Sequence, residues 1–283
     1  MSLDLVRRLF ATRFGGTGAV ILVAISLLSI FAPLFATTGP LDVGLPSLQP
    51  PSWAYPLGTD SIGRDVRSIL LYAGRSSLTI GFSAAAMAFL IGGTMGALAG
   101  YFRGPLAAVL LRITDLFHTL PAIIIVLFTV ALMGASFWLQ VAAVALAIWP
   151  IEARLMYGQF ITLSEREFVL AARAAGLPTF HMIFREILPN AVPVVIVQVA
   201  LDASTAILIE AGLGFLGLAD PTRPSWGEML NRGQEYLDPA WWMSVFPGMA
   251  IAIAVLGFNL FADGVTEMFN PRASANVAPK LEG

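Results

Sequence analysis

An all-α integral membrane protein with six transmembrane helices is the fold this sequence predicts, on three observations. Of 283 residues, 57% are hydrophobic and only 12% are charged, about half the charged content of an ordinary soluble domain. Apolar windows of the ~20 residues that a helix needs to cross ~30 Å of hydrocarbon recur along the chain. Arginine is distributed unevenly between the connecting segments, as expected of a chain oriented by the positive-inside tendency.

The first expected helix is Thr17–Ala36, uncharged for 20 residues. That length exceeds the ~7–15 apolar residues of a signal-peptide core, so the helix is expected to be retained. An outer stretch over ~37–76 follows, opening with Pro40, Pro46, Pro50, Pro51 and Pro56, which disfavour regular structure. It continues through Ile62, Val66, Ile69 and Leu70 at helical spacing, which predicts a short surface helix leading into the second span.

Ser77–Tyr101 is uncharged for 25 residues and forms that second span. Gly92, Gly96 and Gly100 stack on one of its faces, where another helix backbone can approach closely. Leu116–Ile151 is uncharged for 36 residues, too long for one crossing, and Met133-Gly134-Ala135-Ser136 supplies a reversal. Two helices are therefore expected, over ~110–133 and ~137–155. Ala191–Leu218, interrupted by Asp202 and Glu210, is the fifth span, and Trp241–Ala262 is the sixth.

Arg7, Arg8 and Arg13 before the first span place the N-terminus in the cytoplasm, and an even helix count returns the C-terminus there. Arg103, Arg112, Arg154, Arg166, Arg173, Arg185, Arg272 and Lys280 fall on the same side, making 11 of the 16 basic residues. The expected organisation is an N-terminal segment with the first helix and outer loop (1–76), a five-helix core (77–272) and a tail (273–283).

Several functions are excluded. Without cysteine there is no disulfide framework, Cys-zinc site or thiol nucleophile. Lys280 is the single lysine and lies in the tail, so no G-x-x-x-x-G-K-[ST] loop exists and any ATP hydrolysis belongs to another subunit. A net charge of −2 argues against nucleic acid. His118 and His181 have no second ligand at metal spacing, so no metal site is expected.

The stretch after the fourth span reads SEREFVLAARAAGLPTFHMIFREILPN from Ser164. Ser164 and Glu167 form an expected capping box, Gly176 and Pro178 a stop, and a second short helix is expected to end at Pro189. This predicts a cytoplasmic helix-turn-helix. Ala171, Ala172, Ala174 and Ala175 give its first helix a smooth surface suited to a groove on a partner, or to lying on lipid.

Ala171-Ala172, Gly176 four residues on and Leu188-Pro189 together resemble the EAA loop of ABC importer permeases, which docks into a cleft of the ATPase. Leu170 stands where glutamate is usual in that loop, and Glu186 where isoleucine is usual. Leu57–Gly81, the run from Arg185 through Pro193, LGFLGL (Leu213–Leu218), PSWGEML (Pro224–Leu230) and FNLFADGV (Phe258–Val265) are similar to the second, C-type permease of the dipeptide/oligopeptide/nickel family. The resemblance implies a type I permease in the bacterial inner membrane. It implies a homologous B-type permease as partner, two ATPases that bind ATP and Mg2+, and an extracytoplasmic solute-binding protein, with no cofactor in this chain. It also implies that Glu165, Glu167, Ala171, Ala172, Arg173, Gly176, Leu177 and Pro178 couple the chain to an ATPase.

Ionisable groups inside a span are costly unless paired or wetted, so Asp202 and Glu210 are candidates for the translocation path or a subunit interface. Asn259, one turn from Asp263, is a third. Arg112 and Asp115 are expected to pair along one helix, and Asp60, Arg64 and Asp65 to cap and pair locally. An ion-coupled secondary transporter, the competing function, would show acids near the midplane and often inverted repeats, and no repeat is visible. An intramembrane enzyme would need a nucleophile–base pair or clustered ligands, which the sequence lacks.

Overall fold

The computed structural model describes residues 7, 9–12 and 14–269. Arg8, Arg13, Arg272, Lys280 and the tail at 273–283 lie outside the described residues. Among those described there is no strand beyond an isolated bridge between Thr59 and Asp65.

Among the described residues from Gly15 onward the helices are, in order, α1 (Gly15–Ile30), α2 (Ala32–Phe35), α3 (Val66–Phe102), α4 (Gly104–Thr119), α5 (Ala122–Met133), α6 (Phe137–Ser164), α7 (Glu167–Ala174), α8 (Thr179–Phe215), α9 (Trp226–Gly233) and α10 (Trp242–Phe269). Four of these, α3, α6, α8 and α10, are long and apolar enough to cross a membrane. The pair α4 and α5 qualifies together as a fifth crossing but is bent by 85°, and α1 is an apolar helix of 16 residues. The chain is therefore a multi-pass membrane protein.

Two expectations about the spans need correction. The helix expected over ~110–133 is two, because Pro121 has no N–H to continue α4 and Leu120 before it is held extended (ψ 133°). No separate surface helix precedes the second span: Asp65 caps α3, accepting from Ser68 N at 3.1 Å, and α3 runs unbroken for 37 residues, while Ile62 stays outside it and exposed. Arg67 and Arg75 interrupt the uncharged pattern without interrupting the helix, because both guanidinium groups have acceptors. Arg67 donates to Phe35 O at 2.6 Å, and Arg75 to Ser29 O at 2.7 Å and Ile30 O at 2.6 Å.

Packing centres on α3 against α6, with α8 against α3 and α10, and α1 against α10. The glycine stripe of α3 makes the first contact possible. A Cβ on Gly92 would strike Trp149 O of α6, one on Gly96 would strike Ala153 O, and one on Gly100 would lie 2.6 Å from Phe160 Cβ. The ordinary helix-packing role of that stripe is what the structure shows. Large apolar side chains such as Leu90, Phe128, Leu132 and Trp138 remain on the outside, as lipid requires.

Candidate functional site

The first candidate region is the connection from α6 to α8. Ser164 belongs to α6 and donates to Ile161 O at 2.9 Å, so the expected capping box does not form. Arg166 takes the N-cap position of α7 instead, with no side-chain cap. The apolar residues before Ser164 favour extension of α6, which consumes the serine.

At its other end α7 closes in a Schellman arrangement: Leu177 N donates to Ala172 O (3.2 Å) and Gly176 N to Arg173 O (3.0 Å). Gly176 has φ +77°, and nothing lies within 4 Å of where its Cβ would be. Glycine is therefore favoured here by the backbone and not by crowding.

The second helix does not end at Pro189. Thr179–His181 leads into a π-helical stretch, Met182–Ile187, which continues into the α-helical Leu188–Phe215. The wider π turn places Pro189 in the first turn of the α-helical register, where the missing N–H costs little.

Val169, Met182 and Ile187 are buried against Met156 and Phe160 of α6, which fixes the connection to the bundle. Phe168, Leu170, Leu177, Phe180 and Phe184 are exposed, as are Ala171, Arg173, Gly176 and Pro178, while Ala172 is half-buried. Glu165 is drawn into an ion pair with Arg103 at 2.9 Å, whereas Glu167 projects outward. Glu186, a departure from the EAA pattern, lies 3.3 Å from His181.

The second region is a polar joint at the opposite end of the bundle. Ser77 Oγ of α3 donates to Glu210 Oε2 of α8 at 3.0 Å and accepts from Trp226 N at 3.2 Å. Trp226 Nε1 donates to Leu70 O at 3.1 Å and Trp242 Nε1 to Thr59 O at 3.1 Å. Gly214 and Gly227 allow α9 to lie against the end of α8, since a Cβ on either would strike the backbone of the other helix. The expected local pairing in the outer loop is present: Arg64 Nε donates to Asp60 Oδ2 at 2.6 Å. Segments chosen for their resemblance at 57–81, 213–218 and 224–230 thus converge on one place.

Nearby, Asp220 Oδ2 accepts from Phe137 N at 2.9 Å and its Oδ1 from Thr222, tying the start of α6 to the α8–α9 loop. Partial burial acts to raise its pKa, but the hydrogen bonds from Thr222 and Phe137 and the nearby Arg223 outweigh it and hold the carboxyl below the usual range.

The third region lies within the spans. Asp202 of α8 faces Glu152 of α6, a residue that the sequence alone did not single out. Both are buried, and Asp202 Oδ1 accepts from Gln198 Nε2 at 2.9 Å. The signal for Glu152 was an acid two residues after Pro150, at the end of the long uncharged run. Asp202 and Glu210 are buried in this chain and meet different partners. Asn259 Nδ2 reaches Ser204 Oγ of α8 at 3.3 Å and Val255 O at 2.8 Å. The Arg112–Asp115 pair is not formed; Asp115 accepts from Arg154 of α6 at 2.7 Å, because the helix pairing turns the two toward each other.

Residues 92–275 match the model of the family described as the inner membrane component of binding-protein-dependent transport systems. Residues 3–51 match the N-terminal TM domain of oligopeptide transport permease C. The chain is 38% identical over 258 residues to the dipeptide transport system permease protein DppC of Alkalihalophilus pseudofirmus, covering 90% of this chain and 84% of the relative. It is 38% identical over 259 residues to the probable D,D-dipeptide transport system permease protein DdpC of Escherichia coli, covering 91% and 87%. A solved chain from the inward-facing MetNI methionine ABC transporter superposes with a TM-score of 0.59 at 19% identity, over 71% of this chain and 97% of that one. That last likeness concerns the fold alone.

Proposed function

This chain belongs to the family of binding-protein-dependent transport system inner membrane components, and from that premise we propose that it is the C-type permease of an ATP-driven importer of dipeptides and other short peptides. The relatives named for dipeptide transport support the substrate class. In this reading α1 and the bent α4–α5 pair complete six spans, and both termini face the cytoplasm of a bacterial inner-membrane protein. A homologous B-type permease completes the translocation path, and a solute-binding protein delivers the peptide from outside. Two ATPases bind ATP and Mg2+ on the cytoplasmic side.

The observation that carries the mechanism is α7 with its glycine break. A short helix anchored by Val169 presents Glu167, Ala171, Arg173, Leu177 and Pro178 outward, on a connection that runs directly into α8. Displacement of α7 by an ATPase is transmitted along α8, which carries Asp202 and Glu210 and is bridged to α10 through Asn259. These three polar residues form the framework that shapes the path from behind its lining.

The test is uptake of a labelled dipeptide into liposomes containing the complex purified through a tag on this chain, with the binding protein outside. Uptake is expected to require ATP inside the ATPase-facing compartment. Uptake driven by an ion gradient without ATP would replace this reading with secondary transport.

A further inference from the structure

We propose that Glu152 and Asp202 together form a proton-binding site, in which a single proton is held between two carboxyl groups across the contact of α6 with α8.

Glu152 is fully buried, and neither Oε1 nor Oε2 meets a donor from the protein. Asp202 is 2% exposed; its Oδ1 is satisfied by Gln198, and its Oδ2 has no donor. The two carboxyl groups face each other across the α6–α8 contact. Carboxylates accept and do not donate, so two ionised groups here would leave three buried oxygens unsatisfied and place like charges together away from water. One proton relieves both faults: the protonated acid donates its O–H to the other carboxylate, which leaves one buried oxygen without a donor instead of three, and the pair carries one negative charge instead of two.

No other charge takes the proton's place. Among the described residues neither carboxyl has an ion pair. On α6, Arg154 turns away to Asp115. On α8, the neighbouring polar group is Gln198, and Glu210 is engaged with Ser77. From α3 the facing residue is Gly92, which a Cβ would bring within 2.8 Å of Glu152 Cβ. The lack of a side chain there lets α3 close over the pair. The proton is taken from solvent as the helices pack, and no covalent bond other than O–H forms.

Infrared spectroscopy of the complex in lipid, with H2O exchanged for D2O, reads this directly through the C=O stretch of a protonated carboxylic acid. The wild type is expected to show such a band near neutral pH. It should vanish in Glu152→Gln and in Asp202→Asn, because the introduced amide donates to the remaining carboxylate, and persist in Glu210→Gln. If one amide variant fails to fold, the other reads the same proton. Should both fail, carboxyl-13C labelling in the wild type assigns the band, which must shift with labelled aspartate or glutamate and survive Glu210→Gln. Absence of a protonated-acid band in the wild type, or its loss in Glu210→Gln alone, would overturn the proposal.

Discussion

Gly176 and Ser77 act through different physics, and substitutions separate them. At Gly176 the space is open and only the positive φ matters, so Gly176→Val meets backbone strain of about 1–3 kcal/mol, while Gly176→Asn tolerates the left-handed region. Valine is expected to depress peptide uptake and substrate-stimulated ATP hydrolysis together while membrane expression stays near parental, and asparagine to retain most of both. Parental uptake in the valine variant, with ATPases still bound, would remove the coupling role from this turn. Ser77→Ala instead strips a donor from Glu210 and an acceptor from Trp226 N, both buried. A loss of roughly 1–3 kcal/mol follows, read as a lower midpoint of thermal unfolding in detergent.

At the scale of elements, the α3–α6 crossing depends on the absence of side chains. Gly96→Leu would drive its Cβ into Ala153 O and is expected to abolish the folded chain, seen as loss of a monodisperse peak. Gly158→Leu on α6, with nothing within 4 Å of its Cβ position, is the control that should fold. The tie from Asp220 to Phe137 N is sensitive to acid. A carboxyl whose pKa is lowered on folding contributes stability that is present above its unfolded value of ~3.9 and is lost as pH falls through the folded value. Amide exchange at Phe137 should therefore remain protected at neutral pH, and that protection should fall only below about pH 4. In Asp220→Ala it should be absent throughout.

What the sequence revealed at this scale was periodicity and length. Apolar runs located the cores of α3, α6, α8 and α10, because hydrocarbon imposes a requirement on each segment separately. It did not reveal the start of α3, since Arg67 and Arg75 look like span boundaries until their acceptors on the preceding segment are known. Nor did it pair Glu152 with Asp202, or Asp115 with Arg154, because those contacts depend on how α6 is rotated against its neighbours. The α4–α5 bend was announced by Pro121, but the long uncharged run concealed it. Composition reports solvent well and orientation about a helix axis poorly.

For the whole molecule, α1 holds two helices that scarcely hold each other. It packs along α10, where a Cβ on Gly18 would strike Phe261 N and one on Gly257 would lie 2.8 Å from Ile21 Cγ2. Its final carbonyls receive Arg75 of α3. Between α3 and α10 themselves the contact is sparse, with Phe82 edge-on to Phe258 at 5.1 Å. The 16-residue helix is thus a clasp on a seam, fastened to α10 by glycine contacts and to α3 by the single Arg75 guanidinium beside the close approach of Ser29 to Gly74. A clasp fastened by such dissimilar means opens from either side independently: Arg75→Ala releases the α3 attachment, and Gly18→Leu the α10 attachment. Crosslinks between cysteines introduced at Ser26 and Thr79 should be lost in the first variant and kept in the second. If neither variant loosened that crosslink, the seam would be holding itself, and the first helix would be a passenger on a bundle already closed.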